Sequence, residues 1–367
     1  MPIIPNPCHF WTRISCYHLS TPYNLVSMHI AIYHDALIPP QKYGGTERMV
    51  FWLAKALAAL GHRVSLIAKP GSQVPGVETI PYRNTEHSSW EDLVPPNVDI
   101  IHLRATPRTL PKKPFLVTID GNGQPGEKFH SNTVFVSQKH AENHGSQYFV
   151  HNGIDPSDYE SEELREDYFV FLAKASWKVK NLKGAVEIAR RAGIEMKVMG
   201  SRIASGLPGL PPLSWRGIRY LGMVKDAEKK QVLKRARALL FPVRWHEPFG
   251  IAITEALASG CPVYGTPYGS LPEIITPDVG FLSNRAEELV EAVLNQKVSP
   301  AQCQARVRQG FTHLNMARRY LEFYQEILEL GHLKQKADSL GLRSSFPADT
   351  LLPWFGVNAI RSKTTNH

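Results

Sequence analysis

The chain has 367 residues, 43% of them hydrophobic, enough to enclose large cores, and this length favours two domains over one. Its 42 Lys and Arg outnumber 33 Asp and Glu for a net charge of +9, which suits an anionic partner such as a nucleoside diphosphate, a phospholipid surface or nucleic acid. No stretch approaches the roughly 18 consecutive apolar residues of a membrane span. The scattered cysteines Cys8, Cys16, Cys261 and Cys303 indicate neither a disulfide framework nor a zinc site, and read as reduced thiols of a cytoplasmic protein.

Residues 1–27 carry Pro, His and aromatic side chains without a continuous apolar run. They do not read as a secretory signal and are expected to lie outside the fold. From Met28 the pattern sharpens. Residues 29–34 and 64–68 are apolar runs of strand length, separated by a Pro- and Gly-rich loop at 35–45 and a helix at 46–60, a β-loop-α-β unit. Within that loop, Tyr43-Gly44-Gly45-Thr46 lets the backbone approach a ligand at the start of the helix, with Thr46 as the expected N-cap. The glycine pair also reads as a plain turn device. The G-x-G-x-x-G fingerprint of nicotinamide dehydrogenases is absent here, which argues against that class. Further strands are expected at 98–103, 115–119, 134–136 and 148–150, mostly continuous apolar runs, as a parallel sheet covered on both faces requires. Asp120 follows one of them directly. A carboxylate there is a base or orienting group at a ligand crevice, or simply the first residue of an Asp-Gly turn.

A turn at 151–155 closes the first domain, 28–156, and the charged segment 157–167 reads as a linker. The second domain, 168–312, repeats the alternation. A strand at 168–173 leads into a basic loop with Lys174, Lys178 and Lys180, then a helix at 181–192. Strands are expected at 196–200, 218–222, 238–241 and 261–265, and helices at 227–237, 251–258, 269–273, 286–296 and 301–308. A final helix, 316–330, places Tyr320, Phe323, Tyr324 and Ile327 on one face, a spacing that suits core or domain-interface packing. Segment 313–330 is therefore expected to pack across the domains. Residues 331–367 show no sustained periodicity and read as a tail. The fold class is α/β, in two doubly wound halves.

One stretch organises the second half. Glu247 and Glu255 bracket Pro-Phe-Gly-Ile-Ala-Ile-Thr, with Pro248-Phe249-Gly250 as the turn into a helix that stops at Gly260. The first helical N–H groups lack intrahelical partners, which makes the start of the helix an anion site. Glu255 lies inside an apolar helix, where a carboxylate is costly unless it is exposed or hydrogen-bonded. Lys174 and Lys180 placed opposite would complete a diphosphate clamp. For any one loop lysine, a solvated side chain is the ordinary reading.

These features resemble the retaining GT-B glycosyltransferases of the E-x7-E type, a family 4-like group of bacterial mannosyl-, glucosyl- and N-acetylglucosaminyltransferases related to sucrose and sucrose-phosphate synthases. The residues that carry the resemblance are Tyr43-Gly-Gly-Thr-Glu47, Asn152-Gly-Ile-Asp155, Lys180-Asn181 and Glu247-Pro-Phe-Gly-Ile-Ala-Ile-Thr-Glu255. The resemblance implies two Rossmann-like domains facing a cleft, with the nucleotide-sugar on the second and the acceptor mostly on the first. It implies that Glu247 contacts donor-sugar hydroxyls, that the amides of Phe249, Gly250 and Ile251 face the sugar and diphosphate, that Glu255 accepts from the ribose, and that Lys180, with Gly44 and Gly45, meets the diphosphate. The family generally has Gly-Arg where this chain has Ala173-Lys174, and a lysine loses the bidentate fork. Many members have His where Asp120 stands, so the role of that histidine does not transfer simply.

The expected activity is metal-independent sugar transfer with retention, Glu247, Lys180 and Asp120 being the catalytic candidates and no cofactor being needed beyond the nucleoside-diphosphate sugar as substrate. No Asp-x-Asp cluster suited to a divalent ion accompanies the site. The acceptor is a saccharide, lipid or small molecule. A lipid acceptor would bring the protein to the inner face of the membrane peripherally, and no nucleic-acid recognition module is present. Two alternatives compete: a catalytically weak nucleotide-sugar binding protein, and a GT-B nucleotide-sugar epimerase.

Overall fold

The computed structural model describes residues 27–41, 44–83, 89–200, 217–334 and 350–356. Tyr43, Cys8, Cys16, the expected extension up to residue 26 and most of the expected tail lie outside the described residues.

The apolar runs become buried parallel strands, flanked at sheet edges by less buried ones. In the first domain these are β1 (His29–His34), β2 (Arg63–Ala68), β3 (Glu78–Pro81), β4 (Ile100–Leu103), β5 (Phe115–Ile119) and β6 (Thr133–Phe135). They form one sheet in the order β3-β2-β1-β4-β5-β6. Ile30 sits opposite both Val64 and Ile100, so the middle of the sheet is a continuous apolar layer. In the second domain, β7 (Tyr168–Leu172), β8 (Glu195–Met199), β9 (Ile218–Gly222), β10 (Ala238–Phe241), β11 (Val263–Gly265) and β12 (Gly280–Leu282) form a second sheet. Its order, β12-β11-β10-β7-β8-β9, repeats that of the first. In both sheets the strand order reverses beside the first strand, at β1/β4 and at β7/β10. Connections leaving the carboxyl ends of such a strand pair diverge and open a crevice.

The helices follow the apolar periodicity. They are α1 (Gly45–Ala59), α2 (Gln138–Asn143), α3 (Leu182–Ala192), α4 (Asp226–Arg235), α5 (Ile251–Ala258), α6 (Leu271–Ile274), α7 (Ala286–Asn295), α8 (Pro300–Gly310) and α9 (His313–Leu330). Several expectations need correction. Thr46 is not the cap of α1: the helix starts one residue earlier, with Gly44 at the N-cap and no side-chain cap. A Cβ on Gly44 would stand 2.8 Å from Pro40 Cβ and 2.7 Å from a Glu47 oxygen, so the chain has no room there for a larger residue. Residues 148–150 do not form a strand but a single bridge between Phe149 and Phe135. Edge strands β3 and β12 and the helix α2 were not anticipated. Strand β3 is exposed or half-buried along its length, and β12 has only three residues, so neither carries an apolar run.

Helix α9 leaves the second domain and packs on α1 and β5 of the first. Tyr320, Phe323, Tyr324 and Ile327 are all buried there. The Tyr324 hydroxyl bonds His102 Nδ1 at 2.6 Å, His102 Nε2 bonds Thr118 Oγ1 at 2.9 Å, and Thr118 in turn bonds the Tyr320 hydroxyl at 2.9 Å. Burial holds His102 neutral by lowering its pKa well below the usual histidine range. Part of the expected tail also packs: Leu352 exchanges backbone and side-chain hydrogen bonds with Arg244, and Trp354 joins the apolar cluster around α3 and α7.

Candidate active site

The two crevices face each other across one cleft of about 510 Å³. On the second-domain wall, β10 ends at Phe241 and the chain turns through Glu247 into α5. Gly250 at the N-cap of α5 has φ 89°, a left-handed conformation that suits glycine, and no side chain caps the helix. The turn is held from behind. Ser270 N donates to Glu247 O at 2.9 Å, Ser270 Oγ donates to Phe249 O at 2.6 Å, and Gly269 lies so close to the Glu247 backbone that a Cβ would overlap it.

Both glutamates are buried and paired. Glu247 Oε2 accepts from Lys180 Nζ at 2.6 Å and from Trp245 Nε1 at 2.5 Å. Glu255 Oε1 accepts from Lys229 Nζ at 2.5 Å and from the Tyr159 hydroxyl at 3.0 Å. Burial, followed by the Glu255 charge, drives the Tyr159 pKa well above its ordinary value, so this hydroxyl remains a donor. Lys229 also reaches Asp226 at 2.9 Å, and Asp226 is contacted across the cleft by Arg48 of α1 at 2.7 Å. Burial would raise the Asp226 pKa, but Lys229, Lys230 and Arg48 together hold it well below the carboxylate range. Lys174 lies 4.6 Å above the Trp177 ring and Lys180 lies 4.6 Å above that of Trp245.

On the first-domain wall, Gly45 abuts Ile251 at the start of α5, where a Cβ would come within 3.3 Å of Ile251 Cδ1. Asp120 leaves the end of β5 and forms a two-point ion pair with Arg104, which follows β4. The Arg104 side chain is 1% exposed and that of Asp120 is 21% exposed. Burial disfavours the guanidinium charge, but Asp120 and Tyr320 more than offset this and raise its pKa. Next to Asp120, the Gly121 carbonyl bonds His140 Nε2 at 3.0 Å, and burial pushes the His140 pKa down to about 3. The domains also touch beyond the cleft. Asn122 Nδ2 donates to His246 O at 2.9 Å and Ser137 Oγ to Pro248 O at 2.6 Å. Glu273 accepts from the backbone N–H groups of Gln138 and Lys139 and from His151 Nε2 at 2.7 Å.

The cleft is lined by Gly44, Gly45, Asp120, Lys174, Lys180, Glu247, Phe249, Gly250, Ile251 and Glu255 together, so the structure gathers every site residue named from the sequence. The sequence reading missed Arg104, Tyr159, Lys229 and Trp245. Arg104 directly follows an apolar strand, the signal that singled out Asp120. Lys229 is one of several cations on a basic helix, and nothing local distinguishes it. Among the described residues, no group of three or more His, Cys, Asp or Glu is arranged to hold a metal ion.

Residues 214–309, from β9 to α8 and including both glutamates, match the family model Glycosyl transferases group 1. Over 115 residues the chain is 32% identical to an O-antigen chain mannosyltransferase B of Escherichia coli, a stretch covering 29% of this chain and 30% of that protein. Among solved structures, AviGT4, a glycosyltransferase involved in avilamycin A biosynthesis, superposes with a TM-score of 0.70 at 23% identity, covering 82% of this chain and 98% of that one. HepE of Anabaena in complex with UDP does so at 0.61 and 16% identity, covering 82% and 100%. The fold is GT-B, with two parallel-sheet α/β domains, each of six strands among the described residues.

Proposed function

We propose that the protein is a retaining, metal-independent glycosyltransferase that moves a hexose from a nucleoside-diphosphate sugar to a hydroxyl acceptor. One observation carries the reading: Lys174, Lys180, the uncapped start of α5, Glu247 and Glu255 all line a single interdomain cleft. The group 1 match over the stretch that holds both glutamates supports it, as does the UDP in the complex of HepE, a protein of the same fold.

In this reading the diphosphate lies against the amides of Phe249, Gly250 and Ile251, with Lys174 and Lys180 beside it. Glu255, held by Lys229 and Tyr159, accepts from the ribose, and Glu247 accepts from hydroxyls of the donor sugar. When the bond from the anomeric carbon to the phosphate oxygen breaks, its electron pair stays on the diphosphate, where the lysines and helix amides stabilise the growing charge. The acceptor oxygen bonds the same face of that carbon, and its proton passes to the departing phosphate oxygen. Asp120 stands on the first-domain side, where it accepts a hydrogen bond from the acceptor hydroxyl. No described helix is long and apolar enough to cross a membrane, so a lipid acceptor would be met at a membrane surface.

The test is release of nucleoside diphosphate from UDP-glucose, GDP-mannose and ADP-glucose, with and without saccharide acceptors. Transfer is expected to fall at least about a hundredfold in Glu247→Ala and Lys180→Ala, and to persist in chelator. Undiminished turnover in either variant would overturn the residue assignment, and full loss in chelator would overturn metal independence. Tight donor binding with no release under any acceptor would favour a binding protein.

A further inference from the structure

Glu247 is offered two donors on the same oxygen. Lys180 Nζ lies 2.6 Å and Trp245 Nε1 lies 2.5 Å from Oε2, and no hydrogen bond to Oε1 is found among the described residues. An ammonium is a rotatable point charge and tolerates many carboxylate orientations. An indole N–H is a single donor on a rigid ring. That ring is itself packed: the Lys180 ammonium lies over its face at 4.6 Å, Trp177 meets it nearly at right angles with ring centroids 6.0 Å apart, and it rests against the large apolar cluster. Arg244 N, the residue before it, donates to Val179 O at 2.7 Å, which ties the loop carrying Trp245 to the turn carrying Lys180.

We propose that Trp245 is a positioning residue for the donor sugar: with Lys180 it pins one oxygen of Glu247 so that the other is presented to the sugar hydroxyls. This rests on the donor reading above. Without the indole N–H, the carboxylate turns toward Lys180 and engages both oxygens, so the sugar loses its acceptor while the diphosphate site stays intact. The residue thus acts on the sugar increment of binding and not on the nucleotide.

The experiment is calorimetric titration of the whole chain and of Trp245→Phe, which keeps a ring against Lys180 and Trp177. The ligands are UDP, GDP and ADP, each beside its sugar conjugate UDP-glucose, GDP-mannose or ADP-glucose. For the pair that the wild type binds, the variant is expected to hold the nucleoside diphosphate within about twofold and to bind the conjugate about tenfold more weakly, the order of one hydrogen bond to a charged group. Equal loss for both ligands, or no loss for either, overturns the proposal. A wild type that binds none of the three pairs overturns the donor reading itself, and the proposal with it. Should the phenylalanine variant fail to fold, Trp245→Leu, which likewise lacks a donor, is read by the same two outcomes.

Discussion

The Arg104–Asp120 pair should respond asymmetrically to mutation. Its partners differ in burial: the arginine side chain is 1% exposed, the aspartate 21%. Replacing Asp120 by alanine leaves a guanidinium in the interior beside Tyr320, with two of its contacts gone. Removing one partner of a buried pair and stranding the other costs about 3–5 kcal/mol. Replacing Arg104 by methionine puts an uncharged chain of similar length into its place and leaves the carboxylate at the cleft wall, where water reaches it. That loss should be about 1 kcal/mol. The double variant R104M/D120A contains neither charge, so it should also lose only about 1 kcal/mol, which gives a coupling energy of about 3–5 kcal/mol between the sites. Urea unfolding of the four proteins, followed by circular dichroism and tryptophan fluorescence, measures all three differences. The reasoning fails if R104M costs as much as D120A, or if the two losses simply add.

Two further outcomes follow from groups outside the cleft. Burial would raise the pKa of Asp155, but hydrogen bonds from Lys55 and Ser157 bring it down to about 2, against an ordinary 3.8. With a depressed folded-state pKa, its stabilisation is fully present above about pH 4 and is lost as the pH falls toward 2. The stability difference between the wild type and Asp155→Asn should therefore be constant from pH 7 to 5 and shrink below pH 4; a difference independent of pH down to 2 would contradict the assignment. Glu273→Ala removes the acceptor for Gln138 N, Lys139 N and His151, so amide exchange at the start of α2 should rise and small-angle scattering should show a larger radius of gyration. Unchanged exchange and unchanged radius would mean that Glu273 does not hold the domains together.

The sheets were legible where burial on both faces forces an apolar run. Residues 115–119 and 238–241 are of this kind and coincide with β5 and β10. The pattern misleads at the sheet edge. Tyr148-Phe-Val150 has the composition of a strand, but only Phe149 bridges the sheet, while Glu78-Thr-Ile-Pro81 lacks that composition and still pairs along β2. Edge pairing is set by the backbone of the neighbouring strand, which leaves little trace in the side chains. The site residues were legible because parallel strands all end on one side, so residues just after several strands must meet. Their pairing was not. Glu255 finds Lys229 26 residues away and Tyr159 96 residues away, contacts fixed by how α4 and the linker pack on α5.

That pairing redistributes the charges inferred from the sequence, which assigned the lysines to phosphate and the glutamates to hydroxyls. In the cleft, Lys180 neutralises Glu247, Lys229 neutralises Glu255, and Arg48 is bound to Asp226. Among the described cations that line the cleft, Lys174 alone has no carboxylate partner and rests on the Trp177 ring. A cation–π contact at an exposed ring is worth about 0.5–1 kcal/mol, less than a charge-assisted hydrogen bond to phosphate. On the donor reading, an arriving diphosphate therefore draws Lys174 first. Lys180 has three N–H donors and can keep Glu247 while adding a phosphate oxygen. Lys180 then links the two halves of the donor, so the sugar is oriented by the same ammonium that stabilises its leaving group.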